Sequence, residues 1–103
     1  MYLSGQIGVD QEGSTPADIA RQTQVAYSNM QDVLGQFGAD MSNIVDETLF
    51  VTSMEEFYAN VEAVYSAREE AYGGTPEACQ TLVQVVALAR PELKIEIKCT
   101  AHL

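Results

Sequence analysis

The 103-residue sequence is poor in the residues that build metal centres, redox centres and polyanion-binding surfaces. It has no tryptophan, one histidine and two cysteines, and only five lysines and arginines against fifteen aspartates and glutamates. The resulting formal charge of −10 repels nucleic acids and anionic membranes, so neither is expected as a partner. Cys79 and Cys99 lack CxxC or CxxH spacing and His102 stands alone, so we predict no metal site, cofactor or redox dithiol.

Long hydrophobic runs are also missing. No stretch reaches the roughly 20 apolar residues of a membrane-spanning helix, and no basic-then-apolar leader precedes a small-residue cleavage site. We therefore expect a cytoplasmic protein. A composition with 47% hydrophobic and 19% charged residues is that of a globular chain, and the length favours a single domain, residues 1–103, with one core.

The last quarter of the chain contains the clearest strand pattern. Residues 93–102 alternate strictly between apolar and polar side chains, which predicts a half-buried strand. Residues 79–88 are apolar on both faces, which predicts a strand covered on both sides. Pro91 lacks a backbone donor and separates the two strands.

The first half of the chain combines a strand and a helix. Residues 2–10 alternate as a strand, in which Gly5 and Gly8 mark either a bulge or the close approach of another group. Thr15 and Pro16 then predict the start of a helix that is capped at its end by Gly38. The predicted core stripe of this helix contains Ile19, Thr23, Ala26, Met30, Val33 or Leu34, and Phe37.

A second strand and helix follow. Residues 44–52 are rich in β-branched and aromatic side chains, which predicts a strand, and we interpret Asp46 and Glu47 as its solvated end. Ser53 and Glu56 form a capping box that begins the second helix, and Gly73 ends it. One side of this helix contains Phe57, Val61, Val64, Arg68 and Tyr72, with the Arg68 head group expected at the rim of the core.

The predicted order is β-α-β-α-β-β. Strands that alternate with helices of this length imply crossover connections, so we predict an α+β fold in which a mixed sheet carries both helices on one face. The other sheet face would present either Val83, Val85 and Ala87 or the residues opposite them to solvent. An apolar face of that size is expected to be buried in an oligomer.

Two sequence motifs resemble those of a known family. Residues 80–97, QTLVQVVALARPELKIEI, resemble the C-terminal signature of the RidA/YjgF family, and Ser4-Gly5-Gln6 resembles its Ser-Gly-Gln element. The resemblance implies a chorismate-mutase-like fold, a homotrimer with ligand clefts between subunits, and hydrolysis of enamines and imines such as 2-iminopropanoate. It also implies that this chain lacks the family's N-terminal strand pair.

The resemblance also assigns residues to the site. Glu96 matches the glutamate that handles water in the family and is the predicted catalytic residue. Gln80 stands where the family has a carboxylate-binding arginine, and glutamine can donate a hydrogen bond to a carboxylate but cannot neutralise it. Glu62 falls where the family has an asparagine. The full set of predicted substrate-binding residues is Ser4, Gly5, Glu62, Gln80, Thr81 and Leu82.

The leading hypothesis is a RidA-like homotrimer that binds a small metabolite, with a deaminase activity weakened or redirected by Gln80. One alternative is an ordinary imine deaminase in which Lys94 or Lys98 replaces the family arginine. Another is a non-catalytic scaffold, in which Glu96 and its neighbouring lysines form only a solvated ladder. The ribonuclease label of some relatives is disfavoured by the charge of −10.

Overall fold

Helices cover one face of a four-stranded sheet in the computed structural model, which describes residues 1–103. The spatial order is β1-β4-β2-β3, with β2 and β3 parallel and the other neighbours antiparallel. The predicted α+β class and chain order are confirmed, except that the second helix is divided in two. The elements are β1 (Gln6–Ile7), α1 (Ile19–Gln36), a 3-10 helix (Met41–Asn43), β2 (Ile44–Val51), α2 (Met54–Ala59), α3 (Val61–Tyr72), β3 (Cys79–Gln84) and β4 (Ile95–Ala101).

Helix α1 begins later than its sequence signals predict. Its N-cap is Asp18, whose carboxylate accepts a backbone N–H of the first turn, so Thr15 and Pro16 lie before the helix. Gly38 follows its last turn with a φ of 70°, as expected for a C-terminal glycine. Phe37 was wrongly placed in the core: it lies after the last helical residue and is 60% exposed. The buried members of the stripe are Ile19, Thr23, Ala26, Met30 and Leu34.

The second helical segment breaks at Asn60. This residue leaves helical geometry, with φ −123° and ψ 17°, and its side chain donates to the carbonyl of Glu56. The Ser53 hydroxyl accepts the Glu56 amide, which confirms the predicted N-cap. Gly73 ends α3 in the left-handed region, as predicted. The helical segment therefore starts and stops where its sequence signals place it and is interrupted only in the middle.

The two outer strands are shorter than predicted. Strand β3 stops at Gln84 because its partner β2 ends at Val51, the residue paired with Gln84, and Val86 is fully exposed beyond that point. Strand β1 contains only Gln6 and Ile7, although Tyr2 also bridges Thr100 of β4. In β4 the predicted alternation is confirmed, since its buried residues are Ile95, Ile97, Cys99 and Ala101.

Gln22 of α1 is a fully buried polar residue that joins three segments. Its amide donates to the carbonyls of Pro16 and Glu92 at 2.8 and 2.9 Å, and its oxygen accepts the Lys94 amide at 2.8 Å. Gly8 packs directly against it, with no room for a Cβ. The entry to β4 is thus fixed to α1 through one side chain.

The sheet face opposite the helices is partly apolar. Strand register places Phe50 and Val83 on this face together with Glu96 and Lys98. Of the three residues expected to form an apolar patch only Val83 is on the sheet, because Val85 and Ala87 follow the end of β3. No helix of the structure has both the length and the hydrophobicity needed to cross a bilayer.

Candidate functional site

Glu96 and the Ser4-Gly5 segment meet on the open face of the sheet. The antiparallel register of β1 and β4 pairs Ile7 with Glu96. Gly5, two residues before Ile7, therefore lies beside the Glu96 carboxylate. A Cβ at Gly5 would collide with that carboxylate, so a larger residue there would displace the Glu96 side chain. The carboxylate makes no hydrogen bond or ion pair within the chain and is half-buried. It is therefore available to a water molecule or a ligand.

Gln80 lies on the other face of the sheet. It pairs with Glu47 of β2, which in turn opposes Cys99 of β4, so its side chain points towards the helices. Its Oε1 accepts the hydroxyl of Tyr65 at 3.0 Å, while its Nε2 is buried without a partner. Gln80 and Glu96 of one chain are thus separated by the sheet.

The remaining predicted residues lie on both faces of the sheet and on α3. Leu82 shares the helix-facing side with Gln80 and packs against the core, whereas Thr81 is exposed on the side of Glu96. Glu62 is exposed in the first turn of α3. Of the two candidate lysines, Lys94 is paired with Glu56, while Lys98 is exposed on the Glu96 face without a partner.

A buried polar cluster behind Gln80 was not predicted. Its centre is Glu47, which we expected to be solvated and which is instead fully buried. Oε1 accepts the Tyr27 hydroxyl at 2.9 Å and the Arg68 Nε, and Oε2 accepts the Tyr72 hydroxyl at 2.8 Å. Glu47 is buried because β2 has a bulge near its start. Beyond the bulge the alternation of inward and outward side chains is inverted, so Glu47 turns inward.

The cluster has strongly shifted ionisation. Burial, followed by the charge of Glu47, raises the pKa of Tyr27 and of Tyr72 far above the ordinary value of 10.0. The same two causes raise the pKa of Cys99 to about 11. The two tyrosines therefore remain protonated donors to Glu47, and Cys99 remains a thiol.

Arg68 emerges from this cluster towards the start of β3. Its side chain is 11% exposed, consistent with the predicted position at the rim of the core. The guanidinium carbon lies 5.4 Å from the centre of the Tyr72 ring, within the range of a cation–π interaction. Burial alone would lower the pKa of Arg68, but the charge and hydrogen bond of Glu47 raise it above its usual value.

The clefts of the single chain lie away from Glu96 and Gln80, although one of about 500 Å³ around the α2–α3 junction is lined by Glu62. One of about 480 Å³ lies between α1, the 3-10 helix and the end of α3, and one of about 360 Å³ lies between α1 and α3. Neither is lined by Glu96 or Gln80. No group of three or more His, Cys, Asp or Glu side chains is arranged to hold a metal ion.

Comparison with known proteins gives a family match over the whole chain. The sequence model described as "Endoribonuclease L-PSP" matches residues 1–103. The chain is 34% identical over 102 residues to the 2-iminobutanoate/2-iminopropanoate deaminase of Escherichia coli K12, covering 98% of this chain and 77% of that protein. It is 33% identical over 101 residues to the mitochondrial protein mmf1 of Schizosaccharomyces pombe, covering 98% of this chain but only 60% of the yeast protein.

Solved structures agree with the sequence match. A protein of the Rid family from Yersinia pestis, YyfB, superposes with a TM-score of 0.87 at 32% identity, covering 100% of this chain and 77% of that one. E. coli TdcF with bound serine superposes with a TM-score of 0.85 at 28% identity, covering 99% of this chain and 79% of that one. Sequence and fold therefore point to the same set of relatives.

Proposed function

Because this chain belongs to the RidA/YjgF family, described also as endoribonuclease L-PSP, we propose that it is a homotrimeric imine-deaminase-like protein with a weakened or redirected activity. The observation that carries the proposal is the unpaired Glu96 carboxylate, held against Gly5 on the open sheet face. The deaminase-like role follows the E. coli relative of that name.

The need for a second subunit rests on the two faces of the sheet. Gln80 points towards the helices and Glu96 towards the open face, so one ligand cannot contact both within a single chain. The open face contains Phe50 and Val83, and β3 is an edge strand of the sheet. Packing the open face of one copy against the β3 edge of another would bring Glu96 of the first towards Gln80 of the second. The small-metabolite site of this proposal is that intersubunit cleft.

Hydrolysis of an imine requires only a bound substrate, a water molecule and a group that transfers protons. Water adds to the imine carbon and one of its protons passes to the nitrogen, which gives a carbinolamine. The hydroxyl proton of the carbinolamine then passes to the nitrogen as the C–N bond breaks, which releases ammonia and leaves the 2-oxo acid. Glu96 accepts the proton from water and returns it to the leaving nitrogen, a role open to a carboxylate in contact with the reacting water. Gln80 would hold a carboxylate without neutralising it, and this is why we propose a weakened or redirected activity.

The test is hydrolysis of freshly generated 2-iminopropanoate by the wild type and two variants. Relative to the spontaneous reaction, we expect a small acceleration by the wild type, none by Glu96→Ala, and a larger one by Gln80→Arg. Undiminished hydrolysis by Glu96→Ala would exclude the assigned catalytic residue. An inactive wild type that Gln80→Arg does not activate would exclude the deaminase function and favour a scaffold.

Lys98 supports a second candidate, an ordinary deaminase. It is exposed and unpaired two residues from Glu96 on the same face, whereas Lys94 is held by Glu56. If Lys98 binds the substrate carboxylate, Lys98→Gln should raise KM roughly tenfold with kcat retained. In that case the wild type should also hydrolyse 2-iminopropanoate about as fast as Gln80→Arg does.

A further inference from the structure

Helices α1 and α3 end beside the same cleft. This cleft of about 480 Å³ is lined by the end of α3 and by the 3-10 helix that follows α1, and its volume is in the range of small-molecule sites. Gln31, Glu70 and Ala71 also line the adjoining cleft of about 360 Å³, so the two clefts form one groove between the helices. The groove lies on the helix layer, away from the open face of the sheet that the proposed trimer would cover.

Every charged side chain that lines the groove is acidic. Glu70 lines both clefts and Asp40 lines the larger one, whereas none of the five lysines and arginines lines either. Glu70 is exposed and forms no ion pair within the chain. Asp40 accepts the amide and the hydroxyl of Ser42 through Oδ1, and its Oδ2 has no partner in the chain. The Ser42 hydroxyl, followed by the Ser42 amide, holds the pKa of Asp40 below its usual value, so the carboxylate stays ionised.

The ends of the two helices add to this negative potential. The C-terminus of a helix carries a partial negative charge, which lysine, arginine or histidine in the last turn commonly offsets. Neither α1 nor α3 has a basic residue in its last turn, and α3 has Glu69 and Glu70 there instead. The Ala71 carbonyl accepts the Gln31 amide at 3.0 Å, and the oxygen of Gln31 makes no hydrogen bond. A cation that the chain itself does not supply would be stabilised at this place.

The donor set of the groove suits an organic cation better than a metal ion. No group of three or more His, Cys, Asp or Glu side chains is arranged to hold a metal. The larger cleft also includes the apolar side chains of Ala39, Met41 and Ala71, which would contact an aliphatic chain. Two carboxylates and the Gln31 oxygen would accept hydrogen bonds from ammonium groups.

We propose that this groove binds a linear aliphatic diamine, with one ammonium group at Glu70 and the other at Asp40. The two carboxylates belong to different elements, α3 and the turn that caps the 3-10 helix, so a ligand with a charge at each end would contact both walls. The inference goes beyond the proposed function, because the groove contains neither Glu96 nor Gln80.

Calorimetric titration with 1,4-diaminobutane tests the site. We expect saturable binding to one site per chain, weakened roughly tenfold in Glu70→Gln and in Asp40→Asn, since each variant loses one charge-assisted pair. Asparagine caps a helix as well as aspartate does, so Asp40→Asn should keep the 3-10 helix. Glu69→Gln removes an equal charge from the same turn of α3 but outside the groove, and its affinity should stay within twofold of the wild type.

Specificity is measured at constant ionic strength, because a chain with a charge of −10 attracts any cation. 1-Aminobutane should bind at least tenfold more weakly than the diamine, since it pairs with one carboxylate only, and uncharged 1,4-butanediol should not bind. Equal affinity for the monoamine, equal loss in Glu69→Gln and Glu70→Gln, or no saturation at millimolar diamine overturns the site.

Amide chemical shifts give a readout that needs no variant. Addition of 1,4-diaminobutane to the wild type should shift the amides of residues 39–42 and 70–73 more than any others. The largest shifts elsewhere on the molecule would contradict the groove even if the diamine binds.

Discussion

Glu47 and Arg68 place a charged pair between the helices and the sheet, where most contacts are apolar. Removing only the cation would leave a carboxylate buried with two tyrosine donors as its remaining partners. We expect Arg68→Met to lower the free energy of unfolding by roughly 3–5 kcal/mol, because an uncompensated buried charge is costly. Urea unfolding followed by circular dichroism measures this change.

The matched control is the double variant Glu47→Leu with Arg68→Met. Replacing both charges by apolar side chains removes the unpaired buried charge but leaves the Tyr27 and Tyr72 hydroxyls without an acceptor. Because an unpaired buried charge costs more than an unpaired hydroxyl, this variant should be more stable than Arg68→Met alone. If Arg68→Met lowers the free energy of unfolding by less than about 1 kcal/mol, the Glu47–Arg68 pair behaves as a solvent-exposed ion pair.

Gly5 provides a test of the Glu96 site that does not change the carboxylate itself. Gly5→Ala would force the Glu96 side chain away, since the added methyl group occupies its position. We expect at least a tenfold loss of 2-iminopropanoate hydrolysis in a folded protein, on the scale of misplacing a catalytic group. Gly35→Ala, in the open on α1, is the control and should keep full activity. Equal activity in both variants would contradict the assigned position of Glu96.

Single residues were the hardest feature to predict from the sequence. Asp46 and Glu47 were both interpreted as solvated, because the sequence does not reveal the bulge that decides which of two adjacent strand residues turns inward. Arg68 on an apolar helix stripe was the available signal that a buried anion existed. Its partner could be identified only once the register of β2 was known.

At the level of elements, Gln22 connects α1 to the start of β4. Gln22→Leu would leave the Lys94 amide and two carbonyls without their partner. We expect a loss of roughly 2–3 kcal/mol in urea unfolding and faster hydrogen exchange at the Lys94 amide. Gln24→Leu, exposed on the same helix, should change neither. Slow exchange retained at Lys94 in the Gln22 variant would exclude this connection.

Element order followed from periodicity and capping residues, whereas element length depended on neighbours. The Ser53 N-cap and the helix ends at Gly38 and Gly73 could be predicted from the sequence because these residues act locally. The end of β3 could not be predicted from the sequence. It is fixed by the end of its partner β2 at Val51, whereas the apolar residues continue beyond Gln84. Strand ends of this kind require the pairing to be known.

At the scale of the whole molecule, the proposed trimer should depend on the open face of the sheet. Phe50 is half-buried there, between Val83 and Glu96 in register. Phe50→Asp places a charge where another copy would pack, so sedimentation velocity should show a shift from trimer to monomer while circular dichroism stays unchanged. Tyr58→Asp, an exposed change in α2 on the helix layer, should leave the trimer intact.

The same variant links assembly to activity. If the site requires Gln80 of one subunit and Glu96 of another, monomeric Phe50→Asp should lose 2-iminopropanoate hydrolysis even though both residues remain in every chain. The protein concentration at which activity appears should then match the concentration at which trimers form, because association is a mass-action equilibrium. A monomeric wild type that hydrolyses the imine would contradict the intersubunit cleft, and the site would then have to be built around Glu96 and Lys98 on the open face alone.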